Sequence, residues 1–230
     1  MREIVLDTET TGLHARDGDR VTEIGCVEVI DCIPTGRSFH AYVNPERAVP
    51  QEVVEITGLT TAFLSDKPLF ADICAELEMF IGDARLVAHN APFDRGFLNA
   101  ELERLGRPAL EDARWFDTLE LVRSMFPGAQ SSLDALCRRF NISLERRDTH
   151  GALVDAELLA EVYLQLNGGR ERSLDFGDAA AEEARQVAAN ARLRPRPTPL
   201  GSLVSAEERA AHDAFVATLG EDVLWSRYAS

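Results

Sequence analysis

The chain opens on an apolar run, Ile4-Val5-Leu6, that ends in Asp7 and reads as a short strand. From Val21 to Ile30 apolar and polar residues alternate, as in a strand with one buried face. Ser38 to Val43 reads as its hairpin or meander partner, with Pro34-Thr35-Gly36 as the turn. The period then changes. Leu69, Ile73, Leu77, Phe80 and Ile81 recur at helical spacing and predict a helix over 69–81. Arg85 to Ala88 is another brief strand. Pro92 then opens a helix at a favourable first-turn position, and Gly106 stops it after Leu105. Further helices are expected over 117–125, 133–140 and 152–166, the last closed by Asn167-Gly168-Gly169.

Beyond Leu166 the texture changes. Residues 178–192 are rich in Ala, Glu and Arg, with few large apolar groups. Arg194-Pro195-Arg196-Pro197-Thr198-Pro199 is a semi-rigid, extended spacer. Hydrophobicity returns from Leu200 to Tyr228, with a helix expected over 205–219. Ser205 and Glu208 form its capping box. About thirty residues cannot bury a core alone. The organisation expected is a folded domain over 1–176, a flexible linker over 177–199 and a C-terminal segment over 200–230 that needs a partner.

A chain of 230 residues has room for one core and an appendage. No apolar run approaches the ~18–20 residues of a membrane span, and the N-terminus carries no signal-peptide pattern. A soluble, cytoplasmic protein is expected, with no membrane partner. The net charge is −15, and Lys67 is the one lysine. Such a chain is a poor candidate for holding nucleic acid by phosphate neutralisation alone. It better suits an enzyme that collects cations at a carboxylate site, or a subunit carried by a partner. Cys26, Cys32, Cys74 and Cys137 form no Cys-x-x-Cys pair, so buried, reduced thiols are expected rather than structural zinc.

Acids stand where a core would forbid them. Asp7 and Glu9 are two apart on an apolar strand and so share a face. Asp94 aligns with Phe97, Leu98, Glu101, Leu102 and Leu105 on its helix. Asp155 aligns with Leu158, Leu159 and Val162. A buried, unpaired carboxylate costs several kcal/mol or changes protonation state. Four acids converging on one site relieve that cost by holding divalent ions, and hard oxygen donors suit magnesium or manganese. His150 precedes Asp155 by five residues, in a loop flanked by Thr149 and Gly151. Two metals and a neutral imidazole make a phosphodiester hydrolase, with the histidine accepting a proton from water.

Three segments carry a family resemblance. Asp7-Thr8-Glu9-Thr10-Thr11-Gly12, His89-Asn90-Ala91-Pro92-Phe93-Asp94 and His150-Gly151-Ala152-Leu153-Val154-Asp155-Ala156 resemble, in order, the motifs of the DEDDh 3′–5′ exonucleases. Met125-Phe126-Pro127-Gly128, Ser132-Leu133-Asp134-Ala135-Leu136-Cys137, Leu159-Ala160-Glu161-Val162-Tyr163-Leu164 and the distal Ala210-Ala211-His212 with Trp225 are similar to the branch that proofreads for bacterial replicative DNA polymerases. The resemblance implies an α/β, ribonuclease H-like fold: a mixed five-stranded sheet flanked by helices, with a flexible C-terminal extension. It implies that Asp7, Glu9 and Asp155 hold two divalent ions, Mg2+ or Mn2+, and touch substrate. Asp94 supports the site and His150 is the general base. Glu52 and Thr57 occupy the positions of two further substrate contacts.

The same resemblance implies three partners. The substrate is a single-stranded or frayed 3′ end of DNA. The polymerase alpha subunit would take the C-terminal segment, with Phe215, Leu219, Leu224 and Trp225 as apolar anchors. The sliding clamp would take the stretch 171–176 through Leu174 and Phe176. Two other readings stand beside this one. A stand-alone RNA-trimming exonuclease shares the three motifs but has no need of residues 200–230. A non-catalytic, polymerase-stabilising scaffold should have lost at least one of the five motif residues. Dinucleotide binding fits poorly, because the first strand leads into an acid-rich turn rather than a glycine-rich one.

Overall fold

The structure, a computed structural model, describes residues 1–145, 151–168 and 204–218. The chain divides into two units, Met1–Leu174 and Asp175–Ser230. The first holds a five-stranded sheet: β1 (Arg2–Thr10), β2 (Val21–Ile30), β3 (Ile33–Tyr42), β4 (Arg85–Ala88) and β5 (Trp115–Asp117). The strand order is β3-β2-β1-β4-β5. The β1–β2 and β2–β3 pairs are antiparallel, whereas β1–β4 and β4–β5 are parallel. Its helices are α1 (Gln51–Thr57), α2 (Thr61–Leu64), α3 (Phe70–Ile81), α4 (Ala91–Arg104), α5 (Thr118–Met125), α6 (Leu133–Arg139) and α7 (Ala152–Leu166).

Side chains alternate across β1, and each face meets a different layer. Ile4 and Leu6 join Ile24, Cys26 and Phe39 in a core completed by Phe70 and Leu77 of α3 and Phe97 and Leu98 of α4. Val5 joins Val27, Val29 and Val87 against Ala156, Leu159 and Tyr163 of α7. A third cluster ties α5, α6 and α7 together through Val122, Leu136, Leu158 and Val162. Val49, Leu59 and Leu64 pack α1 and α2 near Tyr42.

Several expectations are corrected. The first strand does not end at Asp7 but runs to Thr10, because β2 pairs with it as far as Thr10↔Val21. The second strand is buried on both faces, not one, since it is central and layered on each side. The chain reverses at Asp31-Cys32, both at positive φ, as tight two-residue hairpins require. Pro34-Thr35-Gly36 lies inside β3, where the register with β2 shifts between Val27 and Val29 and Gly36 sits at φ +86°. Turn-forming residues here mark a bulge rather than a reversal. Cys32 is only half-buried, whereas Cys26, Cys74 and Cys137 are buried, and all four are free thiols. Helices α1 and α2 and strand β5 were not anticipated, being only three to seven residues long.

In the second unit, α8 (Ala206–Ala217) is capped as expected: Ser205 Oγ accepts from Glu208 N at 3.2 Å, and Glu208 Oε2 accepts from Ser205 N at 2.8 Å. Among the described residues, no helix is long and apolar enough to cross a membrane.

Candidate active site

The odd-numbered side of β1 carries Asp7 and Glu9 onto the face that α7 covers. Asp155 stands in the first turn of α7. One carboxylate oxygen from each of Asp7, Glu9 and Asp155 lies within 4.8 Å of the other two. Asp155 is buried and the other two are half-buried. Like charges this close repel unless a cation or a proton joins them, and three hard oxygen donors are a suitable set for a divalent ion. The β1–β2 register shifts between Glu9 and Thr10, a bulge at the edge of the cluster.

What brings α7 this close is a missing side chain. Gly25 is the cross-strand partner of Asp7. A Cβ there would stand 2.3 Å from the Ala152 carbonyl carbon and 2.3 Å from Leu153 N. The backbone of the first turn of α7 thus rests directly on β2, which sets Asp155 beside Asp7.

Asp94 arrives from the opposite face. It occupies the first turn of α4, after Asn90 at φ +74°, and is 2% exposed. Its Oδ1 accepts from Thr8 Oγ1 at 2.8 Å. Burial pushes its carboxyl up to about 7; hydrogen bonds from Thr8 and from backbone amides pull the other way, and the charge of Asp117 adds to the rise. The expected four-acid convergence is therefore three acids on one face and a fourth held by Thr8 on the other. Between the layers, burial first, then the charges of Asp94 and Asp7, push the Cys26 thiol up.

The loop between β1 and β2 is clamped to α4. Arg20 donates to Glu101 through Nε at 2.7 Å and a terminal nitrogen at 3.0 Å, and Val21 N donates to the same carboxylate at 3.3 Å. The turn before α4 is held by His89, whose Nε2–H donates to Ser131 O at 2.7 Å. The other ring nitrogen, Nδ1, is 2.9 Å from Thr118 Oγ1. Burial pushes the His89 imidazole down, which favours the neutral ring. Asp117 caps α5 and accepts from Asn90 N at 3.0 Å, joining β5 to the same turn.

The remaining sequence candidates divide. Glu52 is exposed in the first turn of α1, on a helix rather than a loop. Thr57 is buried, and its hydroxyl donates to Val53 O at 3.0 Å and accepts from Leu59 N at 3.1 Å. Its hydrogen points to the end of α1. Phe215 is exposed on α8. His150, Leu174, Phe176, Leu219, Leu224 and Trp225 lie outside the described residues. Sequence reasoning missed Thr8, Gly25, Arg20 and Glu101. A glycine inside a strand was a readable sign of close backbone approach.

A mixed sheet with acids on the face of its first strand and in the first turns of two helices defines a nuclease domain. The family model described as Exonuclease matches residues 4–163, and the chain belongs to that family. Over most of its length it is also similar to proteins named DNA polymerase III subunit epsilon. That of Rickettsia felis is 44% identical over 95% of this chain and 97% of its own length. The Rickettsia prowazekii protein is 52% identical over 74% of this chain and 76% of its own. The Escherichia coli K12 protein is 41% identical over 97% of both. Among solved structures, exonuclease X in complex with 5′ overhanging duplex DNA superposes with a TM-score of 0.57 at 28% identity, covering 71% of this chain and 89% of its own. The nuclease domain of 3′hExo, a DEDDh family member bound to rAMP, shares the fold with a TM-score of 0.62 at 17% identity, over 73% of this chain and 92% of that one.

Proposed function

We propose that this chain is the proofreading 3′–5′ exonuclease subunit of a DNA polymerase III and removes mispaired 3′-terminal nucleotides by metal-assisted hydrolysis. The observation that carries the reading is the group of Asp7, Glu9 and Asp155, whose oxygens lie within 4.8 Å of one another. These three carboxylates hold two divalent ions, Mg2+ or Mn2+, and border the terminal nucleotide. When bound, such ions lower the pKa of a water molecule and offset charge on the phosphorane-like transition state. Asp94 supports the arrangement from the far face through Thr8, and His150 accepts the proton of the attacking water. Glu52, exposed on α1, contacts the substrate nucleotide.

Mismatched termini fray more readily than paired ones, so selectivity follows from melting rather than from base reading. A net charge of −15 suits a chain that receives only a frayed end while the polymerase grips the duplex. The alpha subunit of the polymerase would take the segment 200–230, with exposed Phe215 among its anchors. Residues 177–199 would serve as a tether that raises the local concentration of the nuclease at the primer end. The stretch 171–176 would contact the sliding clamp.

The test is digestion of primer–templates with matched and mismatched 3′ ends, in magnesium or manganese, with RNA primers in parallel. Faster release of mononucleotides from mismatched DNA is the expected result. Equal rates on matched and mismatched ends, or a preference for RNA, overturns it.

A further inference from the structure

A fourth acid stands beside the cluster. Glu23 of β2 is the direct cross-strand partner of Glu9 and is 3% exposed. The two side chains share a face, and directly opposed like charges destabilise a strand pair. Four residues along, the same face carries the apolar pair Val5↔Val27. A sheet built for stability alone would continue that pattern, because buried ionic groups stabilise little compared with apolar ones.

Glu23 is held from the side. His40 of β3 pairs in register with Gly25, and its Nε2 lies 2.7 Å from Glu23 Oε1. A carboxylate only accepts, so Nε2–H donates. The His40 ring meets the Tyr42 ring edge-on, with centroids 4.8 Å apart, and Tyr42 is Glu23's partner on β3. From above, a Cβ placed at Gly151 would lie 3.9 Å from both Glu23 oxygens. The carboxylate therefore sits under the residue that leads into α7 and follows His150 in sequence. It touches the setting of the cluster at two points: beside Glu9 on the strand and below the start of the helix that carries Asp155.

We propose that Glu23 and His40 are a positioning pair for the carboxylate cluster: His40 draws Glu23 toward β3, and Glu23 turns Glu9 toward Asp7 and Asp155 while supporting the start of α7. The inference rests on the metal-binding reading given above. Groups packed around metal ligands orient them, and changing such a group typically costs about 10- to 100-fold in metal affinity.

The test is calorimetric titration of the full chain with Mn2+, alongside turnover of a short single-stranded DNA oligonucleotide and thermal melting. Glu23→Gln removes the charge at constant shape. It should weaken Mn2+ binding and lower kcat by about 10- to 100-fold, leave KM within about 3-fold and keep the melting temperature. His40→Ala should do the same to a smaller degree, and the double variant should be no worse than Glu23→Gln alone. His40 is only partly buried, so this variant carries the test if Glu23→Gln fails to fold. Unchanged Mn2+ affinity in folded variants, or losses that add independently, overturns the positioning role. Failure of the wild-type chain to bind Mn2+, or binding that survives Asp7→Ala, instead overturns the metal-binding reading.

Discussion

Helices α4 and α7 are built alike and do different things. Each carries an aspartate in its first turn, where a helix N-terminus favours negative charge. Each packs an apolar stripe on the sheet: Phe97, Leu98 and Leu102 from α4, and Ala156, Leu159 and Tyr163 from α7. They lie on opposite faces, and so their acids meet opposite sides of β1. Asp155 finds Asp7 and Glu9 and completes a cluster. Asp94 finds the intervening Thr8 and a closed, buried pocket. The alternation of a strand thus assigns two similar acids to two tasks, one in the cluster and one behind it. Contact distance marks α7 further: its first turn rests on the bare backbone of Gly25, whereas Gly96 of α4 stands on an exposed side of its helix with open space around it.

The largest expected effect falls on the α7 side. Asp155→Ala or Asp7→Ala should lower exonuclease turnover by on the order of 1,000-fold or more without unfolding the chain, since removing one of several crowded like charges relieves repulsion. Gel-resolved digestion and circular dichroism check both parts. Wild-type rates in added magnesium would remove these residues from the chemistry.

Next comes the backbone contact. Gly25→Ala forces the first turn of α7 off β2 and should cost about 1–3 kcal/mol by overpacking, with a marked fall in activity. Gly96→Ala has open space and a helical backbone, and should gain up to about 1 kcal/mol. Urea unfolding of the two variants reads the contrast directly. Unchanged stability in Gly25→Ala would mean that α7 does not rest on the backbone of β2.

Smaller effects belong to the α4 side. Thr8→Val removes the hydroxyl that Asp94 accepts from, leaving a buried oxygen without that bond at a cost of about 1–3 kcal/mol. It should also raise the Asp94 carboxyl further, because the hydrogen bond holds it down. The carboxyl signal in nuclear magnetic resonance titration reports that shift; a downward move would contradict the role given to Thr8.

The last prediction concerns pH. Asp94 is raised to about 7 in the folded chain, above the ~3.9 of an unfolded aspartate. Between those values the native state binds the extra proton, so this group favours folding most at low pH, and the benefit is lost as pH rises through about 7. Asp94→Asn removes the dependence. In metal-free buffer its melting temperature, relative to wild type, should climb from about pH 4 to about pH 7 and then level off. A difference that stays flat would show that Asp94 keeps its charge in the fold.

Much of this was readable from the chain. The acids stood on apolar stripes, and the boundaries of β2, β4 and α7 follow from period and capping alone. Other features escaped for identifiable reasons. The Pro-Thr-Gly signal was real but marked a bulge, because turn chemistry does not say whether a chain reverses or only kinks. Thr57 offered a hydroxyl on paper, yet Val53 and Leu59 engage it. Glu23 and His40 stand seventeen residues apart in the chain with no local pattern linking them, and only the β2–β3 pairing places them 2.7 Å apart.

The sequence by itself determined which residues are acidic on apolar surfaces, that strands give way to helices in this order, and that Ser205 and Glu208 cap a helix. These follow from local periods of two and 3.6 residues and from single side chains acting on their own backbone. Only the tertiary structure decided that three acids gather while the fourth is held apart by Thr8. It alone also decided that Gly25 admits α7 and that Glu23 lies beside Glu9. Those facts depend on which face of β1 each helix covers and on a strand register that runs between residues far apart in the chain. A shift of one residue would send every side chain to the other face.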